Sequence, residues 1–149
     1  SIKNVDVSNL PEGYCQILGF SASVPTGIGM EIELSDAALV FNTPNTDVYS
    51  STDFTSSIGI GSIFNAQAGV GWVEDSFGNV VTDPAIIKDV MEGVSATTSM
   101  SVLGGISLYS TFNGYTFKVK SISPSVNISL GASYTKYLGT KDKVSRGEF

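Results

Sequence analysis

Alternation of apolar with small polar residues over 94–138 constrains the fold of this chain more than any other feature. Apolar side chains take every second position in four consecutive runs, which begin at Val94, Ile106, Tyr115 and Val126. A repeat of two residues is typical of β-strands with one buried face, because successive side chains point to opposite faces. Four such strands joined by short breaks predict an antiparallel meander.

The same repeat recurs in the first half of the chain and predicts five further strands. These strands cover 14–24, 27–35, 37–42, 54–64 and 65–73. Residues 42–53 predict a loop of about a dozen residues, a length that is often functional. Glu74–Val80 predicts a hairpin turn, since Gly78 and Asn79 tolerate positive φ.

One short helix is predicted between the two sets of strands. Asp83 is a suitable N-cap, Pro84 suits the first turn, and Gly93 stands just past the end. The apolar stripe of this helix consists of Ile86, Ile87, Val90 and Met91. A helix of about ten residues is too short to be stable alone, so it must pack against the strands.

Together these elements predict a single all-β domain spanning residues 1–149, with a polar leader at 1–13 and a polar tail at 139–149. The predicted fold is a small antiparallel β-barrel of about eight to ten strands with one short capping helix, because closure removes exposed strand edges. A two-sheet β-sandwich is the alternative.

The charged residues indicate which strand face is buried. Glu31, Glu33, Lys118 and Lys120 alternate with apolar neighbours, and a barrel of about eight strands has little interior room for four long charged side chains. We therefore expect the apolar face to point inward. The predicted interior residues are Phe20, Met30, Ile32, Ile60, Trp72, Leu108, Phe117 and Leu130.

Residues suited to catalysis or metal binding are scarce. Histidine is absent and Cys15 is the single cysteine, which excludes Ser–His and Cys–His pairs and an intrachain disulfide. The carboxylates of Glu31, Glu33 and Asp36 lie close in sequence, but a solvated strand face explains them. We expect no catalytic residue, no metal ligand and no cofactor, and an enzyme is not favoured.

Four tyrosines and three lysines are the remaining candidates for a ligand surface, although ordinary strand positions explain them too. They are Tyr109, Tyr115, Tyr134, Tyr137, Lys118, Lys120 and Lys136.

Charge excludes one class of partner. Residues 1–92 carry −10 and residues 93–149 carry +4, which gives the net charge of −6. Nucleic-acid binding needs a basic surface, so no nucleic-acid partner is expected.

The run from Gly19 to Phe64 reads GFSASVPTGIGMEIELSDAALVFNTPNTDVYSSTDFTSSIGIGSIF. It combines strands of small residues, an Asn/Thr-Asp-Val-Tyr linker and a second glycine-rich strand. In this texture it resembles the Gly/Ser-rich β-strand domains of large secreted bacterial proteins of the polymorphic-toxin type. The resemblance implies export and a structural or interaction role in a virulence-associated protein, and it carries no functional residue across.

Three functions are compatible with these observations. The favoured one is a non-enzymatic secreted or surface-exposed barrel that acts as a binding or structural module for an unknown protein or surface partner. The second is a barrel enzyme or carrier that holds a small apolar ligand in its lumen. The third is a membrane-active pore component, since apolar residues alternating with Ser, Thr and Gly suit a lipid face. We expect a secreted or cell-surface location, a monomer or weak homo-oligomer, and membrane contact only in the third case.

Overall fold

The computed structural model describes residues 2–25, 30–60, 64–101, 105–110, 113–121 and 126–147. Side chains are described at residues 2–19, 36–54, 56, 69–96, 113–120 and 130–147. The described strands are β1 (Cys15–Pro25), β2 (Met30–Phe41), β3 (Asp47–Ile60), β4 (Phe64–Glu74), β5 (Gly93–Ser101), β6 (Gly105–Ser110), β7 (Thr116–Ser121) and β8 (Val126–Thr140). The described helices are a 3₁₀ turn (Ile2–Asn4), α1 (Pro84–Met91) and α2 (Lys141–Ser145).

The described strands form one curled antiparallel sheet in the order β1-β2-β3-β8-β5-β6-β7-β4, and β4 also pairs with β1. The predicted antiparallel sheet and short helix are confirmed, whereas the single sheet contradicts the two-sheet sandwich. In each half of the chain the fourth strand lies beside the first, which is a Greek-key order. The meander predicted for the last four strands is confirmed for β5, β6 and β7. It is wrong for β8, which pairs with β5 and β3.

Two strands are longer than the sequence predicts. The predicted break near Ser35 is absent, because β2 pairs there with both β1 and β3 and its backbone groups have partners on each side. β3 begins at Asp47, so only residues 42–46 of the predicted 42–53 loop remain between strands. Thr43 and Tyr137 donate hydrogen bonds to the Asp47 carboxylate and fix the start of this strand.

The helix α1 packs against the buried ends of the strands. Asp83 caps it as predicted, since its Oδ1 accepts a hydrogen bond of 2.9 Å from the backbone N–H of Ala85. Three residues of the predicted stripe are buried, while Ile86 is exposed. The core that they join consists of Cys15, Ile17, Leu39, Phe41, Tyr49, Val73, Val81, Ile87, Val90, Met91, Phe117 and Val119.

The predicted choice of the inward face is wrong for Leu130, whose side chain is 64% exposed. Phe117 is buried as predicted. The prediction is also wrong for Trp72, which is half-buried and packs on Tyr14 and Glu74 on the other face. The other predicted interior residues have side chains outside the described part of the structure. They are Phe20, Met30, Ile32, Ile60 and Leu108.

Residues of both the polar leader and the polar tail pack against the sheet. Val7 is buried with Val40 and Val48 in a second apolar cluster, and Val144 of α2 packs against the same cluster. Thr140 caps α2 through its hydroxyl, which accepts a hydrogen bond from the backbone N–H of Lys143. This cluster covers outward residues of β2, β3 and β8 at the end of the sheet that carries both termini.

Candidate functional site

Four polar side chains of β3 and β8 are buried on the inner face of the sheet, and we call them the hydroxyl cluster: Ser51, Asp53, Ser133 and Thr135. The Ser51 hydroxyl donates to Asp53 Oδ1 at 3.1 Å and lies 3.0 Å from the Ser133 hydroxyl. Thr135 in turn donates to Ser51 at 3.3 Å. Buried polar groups are stable only when they are hydrogen-bonded, and this network meets that requirement.

A cavity of about 30 Å³ separates the hydroxyl cluster from α1. Its walls are polar on one side, where the hydroxyl cluster and Ser95 lie, and apolar on the other, where Val90 and Met91 of the helix close it. The volume is enough for one or two water molecules, and the hydroxyl groups can bind them. The inner face thus changes from apolar beneath α1 to polar deeper in the sheet.

The outer face of the same strands is apolar and uncovered. We call its four largest exposed residues the outer apolar patch: Phe54, Val94, Leu130 and Tyr134, with exposed fractions of 54–64%. The strand register places them together, since Tyr134 stands opposite Val94 on β5, and Phe54 and Leu130 lie one row apart on β3 and β8. Ala96 and Ala132 stand opposite each other within the patch and are also exposed.

At Asp53–Phe54 and Ser133–Tyr134, the two faces of β3 and β8 are therefore inverted relative to a sheet protein in water. Asp53 and Ser133 are buried, while their chain neighbours Phe54 and Tyr134 are exposed. In a water-soluble sheet the apolar face packs on the core and the polar face meets solvent. These apolar side chains are therefore not buried by any other part of the described chain.

A polar rim borders the outer face of β1, β4 and β7, and it consists of Tyr14, Trp72, Glu74 and Lys118. The Trp72 indole N–H donates a hydrogen bond of 2.6 Å to Glu74 Oε2. The Trp72 ring stacks on the Tyr14 ring, with 5.1 Å between their centroids. Lys118 forms an ion pair of 3.0 Å with the same carboxylate. The hydrogen bond from Trp72, followed by that from Lys118, holds the pKa of Glu74 below its ordinary value.

The tyrosines and lysines that the sequence suggested as a ligand surface do not form one surface in the described part of the structure. Tyr137 packs inward on Tyr49, with Lys88 of α1 over its ring, whereas Tyr134 lies on the outer face. Lys118 belongs to the polar rim. The side chains of Tyr109, Glu31 and Glu33 lie outside the described part.

Metal and membrane-helix sites are not found in the described part of the chain. There, no group of three or more Cys, Asp or Glu side chains is placed to hold a metal ion. Cys15 is a free, fully buried thiol. None of the helices formed by described residues combines the length and hydropathy of a bilayer span.

Comparison with known proteins adds no family assignment. No protein-family model, no curated protein and no solved structure matches the chain. Function must therefore be inferred from the geometry of the hydroxyl cluster, the outer apolar patch and the polar rim.

Proposed function

We propose that the curled sheet closes into an eight-stranded β-barrel and that its apolar outer surface lies in a lipid bilayer. In this proposal the chain is a non-enzymatic structural module of a membrane, with α1 filling one mouth of the barrel. The observation that carries the proposal is the inversion of β3 and β8, where polar side chains are buried and apolar side chains are exposed.

Closure of the barrel is supported by the pairing of β1 with β4. Their register runs without interruption from Cys15 opposite Gly71 to Ala22 opposite Phe64. A bilayer contains no water to satisfy backbone N–H and C=O groups, so a membrane-inserted sheet must have no free edge. A Greek-key order fulfils this condition as well as an up-and-down order does, because closure, not connectivity, pairs the backbone groups.

By backbone register and sequence, apolar residues continue at every second position of the strands beyond the outer apolar patch. Beyond Leu130 on β8, the same alternation reaches Ile128, which stands opposite Ile58 of β3 and Met100 of β5. The last row pairs Val126 with Ile60. Eight residue steps from Tyr134 to Val126 span roughly 26 Å along a strand, or roughly 20 Å at a tilt of about 40°. This height is close to the apolar band of about 25 Å in membrane barrels.

The chain covers some outward apolar residues and leaves others bare, which favours lipid as the missing partner. Val40 and Val48 point outward and are fully buried beneath the N-terminal segment and α2. Phe54, six residues further along the same face of β3, has no such cover and is 54% exposed. An exposed apolar surface of this kind on adjacent strands marks an interaction site.

The composition of the polar rim fits the boundary between lipid and water. Trp and Tyr concentrate at this boundary because their rings are apolar and their N–H or O–H groups are polar. The rim places Trp72, Tyr14 and an ion pair at one end of the outer face. Lys120 lies one row further from this end and is exposed. Its long apolar stem allows the ammonium group to reach the rim.

A carrier function for an apolar ligand is less well supported. The cavity beneath α1 holds about 30 Å³, whereas ligand pockets usually measure about 300–1,000 Å³. The hydroxyl cluster that lines it is also unsuited to an apolar guest.

Vesicle flotation of the purified full-length chain, combined with fluorescence quenching by brominated lipids, tests the proposed function. We expect the protein to float with vesicles and Trp72, the single tryptophan, to be quenched by bromine near the headgroups more than at the bilayer centre. Entrapped dye should stay inside, because α1 closes the barrel. A monomer that is folded in plain buffer, does not float and shows no quenching would refute the proposal and return support to a soluble binding module.

A further inference from the structure

A groove of about 440 Å³ lies between the N-terminal segment, the loop between β2 and β3, and α2. Its lining brings together parts of the chain that are far apart in sequence: Lys3, Pro44, Asn45, Thr46, Lys141, Asp142, Ser145 and Arg146. The loop is the remaining part of the segment that the sequence marks as functional by its length. We propose that this groove binds a phosphate group.

Positive charge is concentrated in this groove although the chain as a whole carries −6. Lys3, Lys141 and Arg146 line it, and Asp142 is the single carboxylate among the lining residues. Arg146 forms an ion pair of 2.7 Å with Asp142. The lining therefore carries a net charge of +2, which complements an anion.

The groove has walls held by hydrogen bonds. The backbone N–H of Lys141 donates to the carbonyl of Thr46 at 2.7 Å, and the Lys141 ammonium donates to the carbonyl of Val5. Asp47, next to the loop, is buried and accepts hydrogen bonds from Thr43 and from Tyr137. These contacts fix the two walls of the groove relative to each other before any ligand arrives, which lowers the cost of binding.

Thr46 shows that the groove wall is under strain. Its φ of 50° makes it the one non-glycine residue with positive φ in the described part of the chain. A β-branched residue rarely adopts this conformation, and such strain is concentrated at binding and catalytic sites. Thr46 lines the groove between Asn45 and the first residue of β3, so the strained backbone lies in the groove wall.

The chemistry of the lining fits phosphate better than other anions. A phosphate group has several strong acceptor oxygens and accepts hydrogen bonds from several sides at once. The lining carries two ammonium groups and a guanidinium group, together with the amide of Asn45 and the hydroxyls of Thr46 and Ser145. Both a lipid headgroup and a free phosphorylated compound carry this group.

Calorimetric titration of the purified full-length chain with inorganic pyrophosphate tests the free-phosphate source, and titration with phosphatidylglycerol vesicles tests the lipid source. Vesicles of phosphatidylcholine, whose headgroup is zwitterionic and has no net charge, are the comparison. We expect saturable binding in at least one of the two titrations and weakening as salt rises from about 0.05 to 0.5 M, because the groove is open to solvent.

Substitutions distinguish phosphate binding in the groove from nonspecific attraction to positive charge elsewhere on the protein. The double variant Lys3→Gln/Arg146→Gln should weaken binding at least tenfold. Asp142→Asn should strengthen binding, because the substitution removes the competing carboxylate. Lys88→Gln on α1 removes one positive charge outside the groove and should leave affinity unchanged. Two results would overturn the proposal: equal weakening by Lys88→Gln, or no binding to pyrophosphate together with no stronger binding to phosphatidylglycerol than to phosphatidylcholine vesicles. Because pyrophosphate binding does not require insertion in lipid, its outcome is independent of the bilayer proposal.

Discussion

Replacement of Leu130 by arginine should cost much more stability in lipid than in water. Leu130 is 64% exposed on the outer face, two residues beyond Ala132 in the middle of the outer apolar patch. An exposed surface substitution changes the free energy of unfolding by about 0.5 kcal/mol or less in water. An arginine on the lipid face of a membrane barrel costs about 2–4 kcal/mol near the bilayer midplane and about 0–1 kcal/mol near the interface. Leu130 lies part of the way from the rim to the far end, so we expect a cost of about 2 kcal/mol.

Urea unfolding of vesicle-bound protein, followed by Trp72 fluorescence, measures this difference. Thr52→Arg is the matched control, since Thr52 is exposed on the same face of β3 and stands opposite Tyr134, nearer to the covered end. Its new guanidinium group also lies near Asp36, to which Thr52 is weakly hydrogen-bonded at 3.4 Å. We expect a cost below about 1 kcal/mol for this control. Equal unfolding midpoints for wild type and Leu130→Arg in vesicles would refute the lipid assignment of the outer face.

Four further substitutions test the packing near α1 and the rim. Gly71→Ala should cost about 1–3 kcal/mol in thermal unfolding, because a Cβ there would lie 2.6 Å from the Phe117 ring; an unchanged melting temperature would contradict the described packing. Asp83→Ala should cost about 1 kcal/mol through loss of the N-cap. Met91→Asp should cost more, because it buries an unpaired charge; a smaller loss than for Asp83→Ala would mean that α1 is not docked. Glu74→Gln should destabilise at pH 7 and have no effect in strong acid. The lowered pKa of Glu74 makes its contribution complete above the ordinary carboxyl value of about 4.3 and lost as pH falls through the folded-state pKa. A pH-independent loss would contradict this role.

The strands and the helix were predictable because local chemistry determines them. Alternation located β1, β4 and the last four strands, and Asp83, Pro84 and Gly93 marked the ends of α1. Strand order was not predictable, since the pairing of β8 with β3 and β5 joins segments far apart in sequence. The same distance explains the missed start of β3 at Asp47. Its partner there is Thr140, at the far end of β8.

The orientation of the faces could not be read from alternation, because the pattern is the same whichever face points inward. The limited interior room for long charged side chains favoured an apolar inner face, and this criterion is wrong for Leu130. The hydroxyl cluster was missed for the same reason, since Ser51, Ser133 and Thr135 look like solvent-facing residues. One available signal was Asp53, a carboxylate on the same face as three hydroxyl residues that pair across two strands.

The Greek-key order has a consequence for the assembly of the chain during synthesis. β4 completes the first set of four strands at residue 74, so this half can pair internally while the rest is still being made. The second set must wait for β8, the last strand, which also forms the longest described ladder, with β3 of the first set. Until about residue 140 emerges, the outer edge of β3 is unpaired, and an unpaired edge invites association with other chains. Truncation before β8 should therefore yield not a smaller stable domain but a half that aggregates through β3.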